Sequence, residues 1–186
     1  MFVARLVLIN GAPGSGKSTL ARLYAVEHPL SLVLDIDVVR GLLGGWLAQP
    51  VEAGLLAREM GLAMARVQLL RGGDVLVPQF LGRIDFVVQL ETLASEVDAE
   101  FVEIALLSDS EDASARFARR AAHPETSEHR DAAALLERSG GLDALPEMYC
   151  RLLEVVAARP RTRQVTTVDG EVKETYQRLL AGISVP

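Results

Sequence analysis

Gly11-Ala12-Pro13-Gly14-Ser15-Gly16-Lys17-Ser18, with Leu6-Val7-Leu8-Ile9 leading into it, is the stretch that decides how this chain folds. It satisfies G-x-x-x-x-G-K-[ST], with an apolar strand pattern on one side and a helical pattern over residues 18–27 on the other. Glycines let the backbone turn tightly enough to aim several N–H groups at one anion. The helix that follows adds the positive end of its dipole. In this setting Gly11, Ala12, Pro13, Gly14, Ser15, Gly16, Lys17, Ser18 and Thr19 form a phosphate cradle. Lys17 is placed to reach the terminal phosphates of ATP, and the Ser18 hydroxyl to ligate Mg²⁺. The expected ligand is a nucleoside triphosphate.

Arginine usage around this loop points the same way. Of the 19 basic residues only Lys17 and Lys173 are lysines. A compact ammonium fits between phosphates where a broad guanidinium fork does not.

The 186 residues suit a single domain, with 49% hydrophobic and 24% charged residues as in ordinary globular proteins. A net charge of −6 argues against a broad nucleic-acid-binding face, which needs a basic stripe. Cys150 is the sole cysteine, so no intramolecular disulfide forms, and a reducing cytoplasm is the expected location. Its apolar helical setting reads as core and not as a nucleophile. No apolar run approaches the roughly 18 residues of a membrane span. No membrane partner is expected.

Along the chain, apolar runs alternate with helical patterns. Strands are expected at 6–9, 32–34, 74–77, 101–107 and 164–167. Helices are expected at 18–27, 38–46, 51–70, 84–97, 111–120, 142–158 and 172–180, with Gly44-Gly45 breaking the second and Gly72-Gly73 ending the third. The 51–70 helix is marked by Leu55, Leu56, Met60, Ala63, Val67 and Leu70. Asp109 or Ser110 is placed to cap the 111–120 helix. Strands alternating with helices predict an α/β fold, a parallel sheet covered on both faces. Ligands of such sheets bind beyond the C-terminal strand ends, where Asn10-Gly11, Asp35, Pro78-Gln79 and Ser108-Asp109 fall.

Asp35-Ile36-Asp37-Val38-Val39-Arg40 follows the second strand at once. Phosphoryl transfer needs a metal ion, positive charge on the phosphates and an oriented acceptor hydroxyl. Asp35 is suited to hold a water on Mg²⁺, and Asp37 to accept the hydroxyl proton. Alternatively, Asp37 caps the helix that starts at Val38.

The chain here resembles the small P-loop kinases, which include shikimate kinase, gluconate kinase, the zeta-toxin kinases and chloramphenicol phosphotransferase. The resemblance rests on Leu8-Ile9-Asn10-Gly11 through Ser18-Thr19, and on D-x-D-x-x-R at Asp35, Asp37 and Arg40. It extends to Arg116-Phe117-Ala118-Arg119-Arg120 and to Thr166-Thr167-Val168-Asp169-Gly170. It implies a three-layer P-loop kinase fold, with a five-stranded parallel sheet in the order 2-3-1-4-5 and a mobile helical lid. Many relatives carry an Asp after the third strand, where this chain has Gln79. A neutral amide ligates Mg²⁺ poorly, so the carboxylate role falls on Asp35. Gln79 and Arg83 are then free to read the substrate, with a solvated helix start as the other reading of Arg83.

Arg116 and Arg120 share a helix face ahead of a polar stretch at about 121–141. They suit a lid that brings charge to the phosphates and excludes water, or else a solvated face. His123 and His129 lack a third ligand for a metal. Arg40 beside Asp37 suits an anionic or hydroxyl-rich acceptor, and Trp46 is expected in the core, with stacking on a ring-bearing substrate as the alternative. The leading expectation is an ATP-dependent kinase acting on a small-molecule hydroxyl of a sugar, nucleoside or antibiotic. The alternatives are a nucleotide-binding regulatory or switch ATPase without an acceptor, and a nucleotide-binding protein without catalysis.

Overall fold

The computed structural model describes residues 3–107, 141–168 and 170–184. Its five strands are β1 (Arg5–Gly11), β2 (Leu32–Val33), β3 (Val75–Pro78), β4 (Glu100–Leu107) and β5 (Arg163–Thr166). They form one sheet in the order β2-β3-β1-β4-β5, and all four pairings are parallel. The expected order therefore holds.

Among the described residues six α-helices accompany it: α1 (Lys17–Glu27), α2 (Ile36–Gly41), α3 (Pro50–Leu70), α4 (Asp85–Glu96), α5 (Leu145–Ala158) and α6 (Val172–Ser184). A 3₁₀ turn at Gly141–Ala144 precedes α5. The segment expected to carry the 111–120 helix and the lid lies outside the described residues. So do Asp109, Ser110, Arg116, Arg120, His123 and His129.

Both faces of the central strands are apolar because both are covered. Leu6 and Leu8 of β1 pack with Val75 and Val77 against α3 and α4. Val7 and Ile9 point the other way, packing with Val102, Ile104 and Leu106 against α1 and α6. Helix α3 meets the first of these layers through a narrow stripe, Ala53, Ala57, Gly61, Ala65 and Leu69. At Gly61 an added Cβ would stand 2.5 Å from Ile36 Cδ1. The missing side chain lets α2 lie close against α3, which fixes the position of the Asp35–Arg40 segment.

One sequence expectation is corrected here, and the long helix is found where it is expected. Cys150 is exposed. Helix α5 buries Leu152, Val155 and Val156, and position 150 lies about 160° around the helix from Leu152, given 100° per residue. The residues that marked the long helix, Leu55, Leu56, Met60, Ala63, Val67 and Leu70, are all exposed, while its small residues face the sheet.

Candidate active site

The phosphate loop closes on itself. Gly14 and Gly16 have φ of 84° and 91°, left-handed values that favour glycine and that turn successive N–H groups to one side. Gly16 is the N-cap of α1, and the first turn of that helix contains no acidic side chain to offset the dipole. At Gly11 a Cβ would meet Ser15 Oγ at 2.6 Å and Leu106 at 3.2 Å, so only glycine keeps the loop seated on β4. The Lys17 ammonium donates to the carbonyls of Gly11 (2.8 Å) and Ala12 (2.9 Å) and to Ser15 Oγ (3.5 Å).

Asn10, at the end of β1, is buried and ties two strand ends together. Its Oδ1 accepts from the Gly11 N–H (2.8 Å) and the Leu81 N–H (2.9 Å), and its Nδ2 donates to the Leu81 carbonyl (3.1 Å). The loop after β3 is thereby clamped to the phosphate loop. The sequence placed Asn10 at the right edge without revealing this role, because its partner is 71 residues away.

Asp35, and not Asp37, caps the helix. The helix starts at Ile36, and Asp35 Oδ1 accepts from the Asp37 N–H at 3.0 Å. The other oxygen, Oδ2, accepts from Ser18 Oγ at 3.3 Å. Burial, followed by the neighbouring charge of Asp37, pushes the Asp35 carboxyl above the usual carboxylate range. A hydroxyl and a carboxylate meeting here form an oxygen donor pair suited to a hard divalent cation. A cation would also offset the charge that burial disfavours. No group of three or more His, Cys, Asp or Glu side chains that could hold a metal occurs among the described residues.

Asp37 is relieved of capping, and its side chain is 40% exposed. Its Oδ1 lies 2.9 Å from an Arg40 guanidinium nitrogen. Arg40 is well buried and lies over the Trp46 ring, 4.8 Å from its centroid. Trp46 is therefore half-buried against Arg40 and not a core residue. Two buried polar atoms in this quarter, Arg40 Nε and Gln79 Oε1, have no hydrogen-bond partner among the described residues. The Gln79 backbone N–H donates to Ile9 O at 3.1 Å, which anchors the residue beside β1. Arg83 is solvent-exposed just ahead of α4.

On the far side of the phosphate loop a cleft of about 90 Å³ is lined by Gly14, Gly16, Thr19, Thr167, Val168 and Thr175, among others. The Thr167 N–H donates to Leu107 O at 2.7 Å. Its Oγ1 is buried with no hydrogen-bond partner among the described residues. Thr175 and Val168 became part of the site only through the folding of the segment after β5.

Residues 6–144 match the model of the family AAA_33, described as an AAA domain. The chain belongs to that family. No curated protein matches its sequence. Several solved structures share its fold from end to end. An APS kinase of Mycobacterium tuberculosis, CysC, in complex with AMPPNP and APS, matches at TM-score 0.64 and 20% identity, over 98% of this chain and 99% of that one. A gluconokinase of Sinorhizobium meliloti 1021 matches at TM-score 0.63 and 18% identity, over 98% and 93%. The tunicamycin resistance protein of Deinococcus radiodurans matches at 0.60 and 16% identity, over 98% and 97%. The AAA_33 chain thus has the fold of the P-loop kinases. Among its described residues no helix is long and apolar enough to cross a membrane.

Proposed function

We propose that the protein is an ATP-dependent kinase that transfers the γ-phosphoryl group to a hydroxyl of a small molecule. The observation that carries this reading is the position of Asp35, which touches Ser18 of the phosphate loop and also caps the helix presenting Asp37 and Arg40. A nucleotide half and an acceptor half are joined through one side chain.

The glycine loop and the start of α1 hold the β- and γ-phosphates through backbone N–H groups. Lys17 exchanges its carbonyl partners for phosphate oxygens, a change that leaves all its donors satisfied. The base lies in the cleft behind the loop, where Thr167 Oγ1 is available to it. Ser18 and Asp35 hold Mg²⁺, which supplies charge neutralisation on the phosphates when bound. Asp37 is exposed enough to meet an acceptor hydroxyl and accepts its proton as the oxygen attacks phosphorus. The Arg40 ion pair keeps that carboxylate oriented, and the buried Trp46 contact keeps Arg40 in place. Arg40 Nε and Gln79 Oε1 are the donor and acceptor offered to the remaining polar groups of the substrate. Arg116 and Arg120 are proposed to add charge at the phosphates from the lid at about 121–141.

Candidate acceptors are sugars, nucleosides and antibiotics, and the structural neighbours, named a gluconokinase, an APS kinase and a tunicamycin resistance protein, support a panel of that breadth. The test is ATP-dependent phosphorylation of such a panel, followed by mass spectrometry for the gain of one phosphoryl group. ADP release at the same rate with and without every acceptor would favour a switch ATPase.

A further inference from the structure

Among the described residues, the apolar residues that mark α3 in the sequence lie on its exposed face. Leu56, Met60, Val67 and Leu70 are 46%, 36%, 65% and 65% exposed, and Ala63 is exposed as well. Together they follow a 4-3-4-3 spacing, the seam of a coiled coil, on the side of α3 opposite Ala57, Gly61 and Ala65. A helix face exposed to water normally carries charge at these positions. A contiguous apolar strip about 21 Å long, taking 1.5 Å of rise per residue, marks an interface.

We propose that this face of α3 pairs, antiparallel, with the same face of a second copy of the chain about a two-fold axis. The seam is self-complementary, as an isologous contact requires. In an antiparallel pair the layers alternate the two seam positions of each helix, and flanking residues of one edge meet those of the same edge on the partner. Three neighbouring registers satisfy the apolar layers, and charge distinguishes them. One places Glu59 opposite Glu59, another Arg66 opposite Arg66, and the one between them places Glu59 opposite Arg66 twice. In that middle register Met60 faces Ala63 and Leu56 faces Val67, a large residue against a smaller one in each layer. Arg66 already bonds Glu96 within its own chain, so Glu59 of the second copy would join an existing ion pair.

Leu55 and Met64 lie at the margins of the strip, with the stems of Glu59 and Arg66 alongside.

Analytical ultracentrifugation of the full chain over a concentration series tests this. The expected mass is twice the 20.1 kDa of the chain. Val67→Glu buries a charge in the seam and should give a monomer with the parent's far-UV circular dichroism, since the side chain is 65% exposed, and with a melt lowered only by the loss of association. Leu56→Lys, opposite Val67, is the second variant, should the first fold poorly. Glu59→Arg turns two attractions into repulsions and should raise the dimer Kd about tenfold at low salt, a gap that added salt closes. A parent chain that stays monomeric at about 100 µM, or a Val67→Glu dimer as tight as the parent, overturns the pairing. An unchanged Kd for Glu59→Arg overturns the register.

Discussion

The two halves of the candidate site differ in how their polar groups are satisfied. On the nucleotide side Lys17 is held by two carbonyls and a hydroxyl, and Asn10 makes three hydrogen bonds. On the acceptor side Arg40 Nε and Gln79 Oε1 are buried without hydrogen-bond partners among the described residues. An unmade buried hydrogen bond costs about 1–3 kcal/mol. A ligand that supplied those bonds would recover that cost. The phosphate loop thus satisfies its own polar groups, whereas Arg40 Nε and Gln79 Oε1, like Thr167 Oγ1 in the cleft behind the loop, are left for a ligand to complete in the function proposed above.

Substitutions at each half break this contrast in different ways. Lys17→Ala should have the largest effect, lowering phosphoryl transfer by about 10³-fold or more through loss of charge on the phosphates. The fold should be kept, because the ammonium bonds its own loop, at Gly11, Ala12 and Ser15, and these contacts tie no separate strand or helix of the core together. Turnover at the parent rate would remove the nucleotide half from the reading.

Asp37→Asn should lower kcat by about 10²-fold with nucleotide affinity held, since an amide cannot take the proton. Helix α2 should survive because its cap is Asp35. Full kcat in this variant would assign Asp37 to a purely structural ion pair with Arg40.

Asn10→Ala should cost about 2–4 kcal/mol in urea unfolding, as it strands two N–H groups and a carbonyl at a buried strand end. The corresponding change on the acceptor side, Gln79→Ala, should leave stability at or above that of the parent. It should raise the acceptor KM about tenfold, leaving the nucleotide KM unchanged. Equal destabilisation by the two variants would erase the contrast between the halves.

The smallest effect concerns Asp35 and pH. Its folded-state pKa is raised by burial and then by Asp37, so the ionised form costs stability near neutrality. That cost fades as pH falls through the folded value toward the unfolded one. Asp35→Asn keeps an oxygen for the cap. It should be at least as stable as the parent at pH 7, with the advantage shrinking toward pH 4. Urea midpoints at both pH values check this, and a variant less stable than the parent at pH 7 would show that the hydroxyl contact of Ser18 outweighs desolvation.

Legibility tracked the range of the interactions. The pattern predicts the short α2 helix from Val38, with an Asp37 cap as the alternative to a catalytic Asp37, yet the helix begins at Ile36 under Asp35. Two acidic residues two apart both satisfy the preference for a cap, and only the path of the chain leaving β2 selects between them. Trp46 was expected in the core on its size, but the local partner Arg40 holds it half-exposed. Gln79 was recognised as a neutral substitute in the right place. That its Oε1 is left without a hydrogen-bond partner required the packed strand end.

By itself the sequence determined the phosphate loop, the alternation of strands and helices, and the edge of the sheet where the site lies. These follow from local requirements: glycine at positive φ, apolar runs buried on both faces, and a helix start behind an anion cradle. Only the tertiary structure decided which face of α3 is inside. Its small residues are buried because α2 and the sheet approach too closely for larger ones, with Gly61 against Ile36 as the tightest point. The large residues are left outside. Periodicity reports that a helix has two faces; the distance to its neighbour decides which of them is the core.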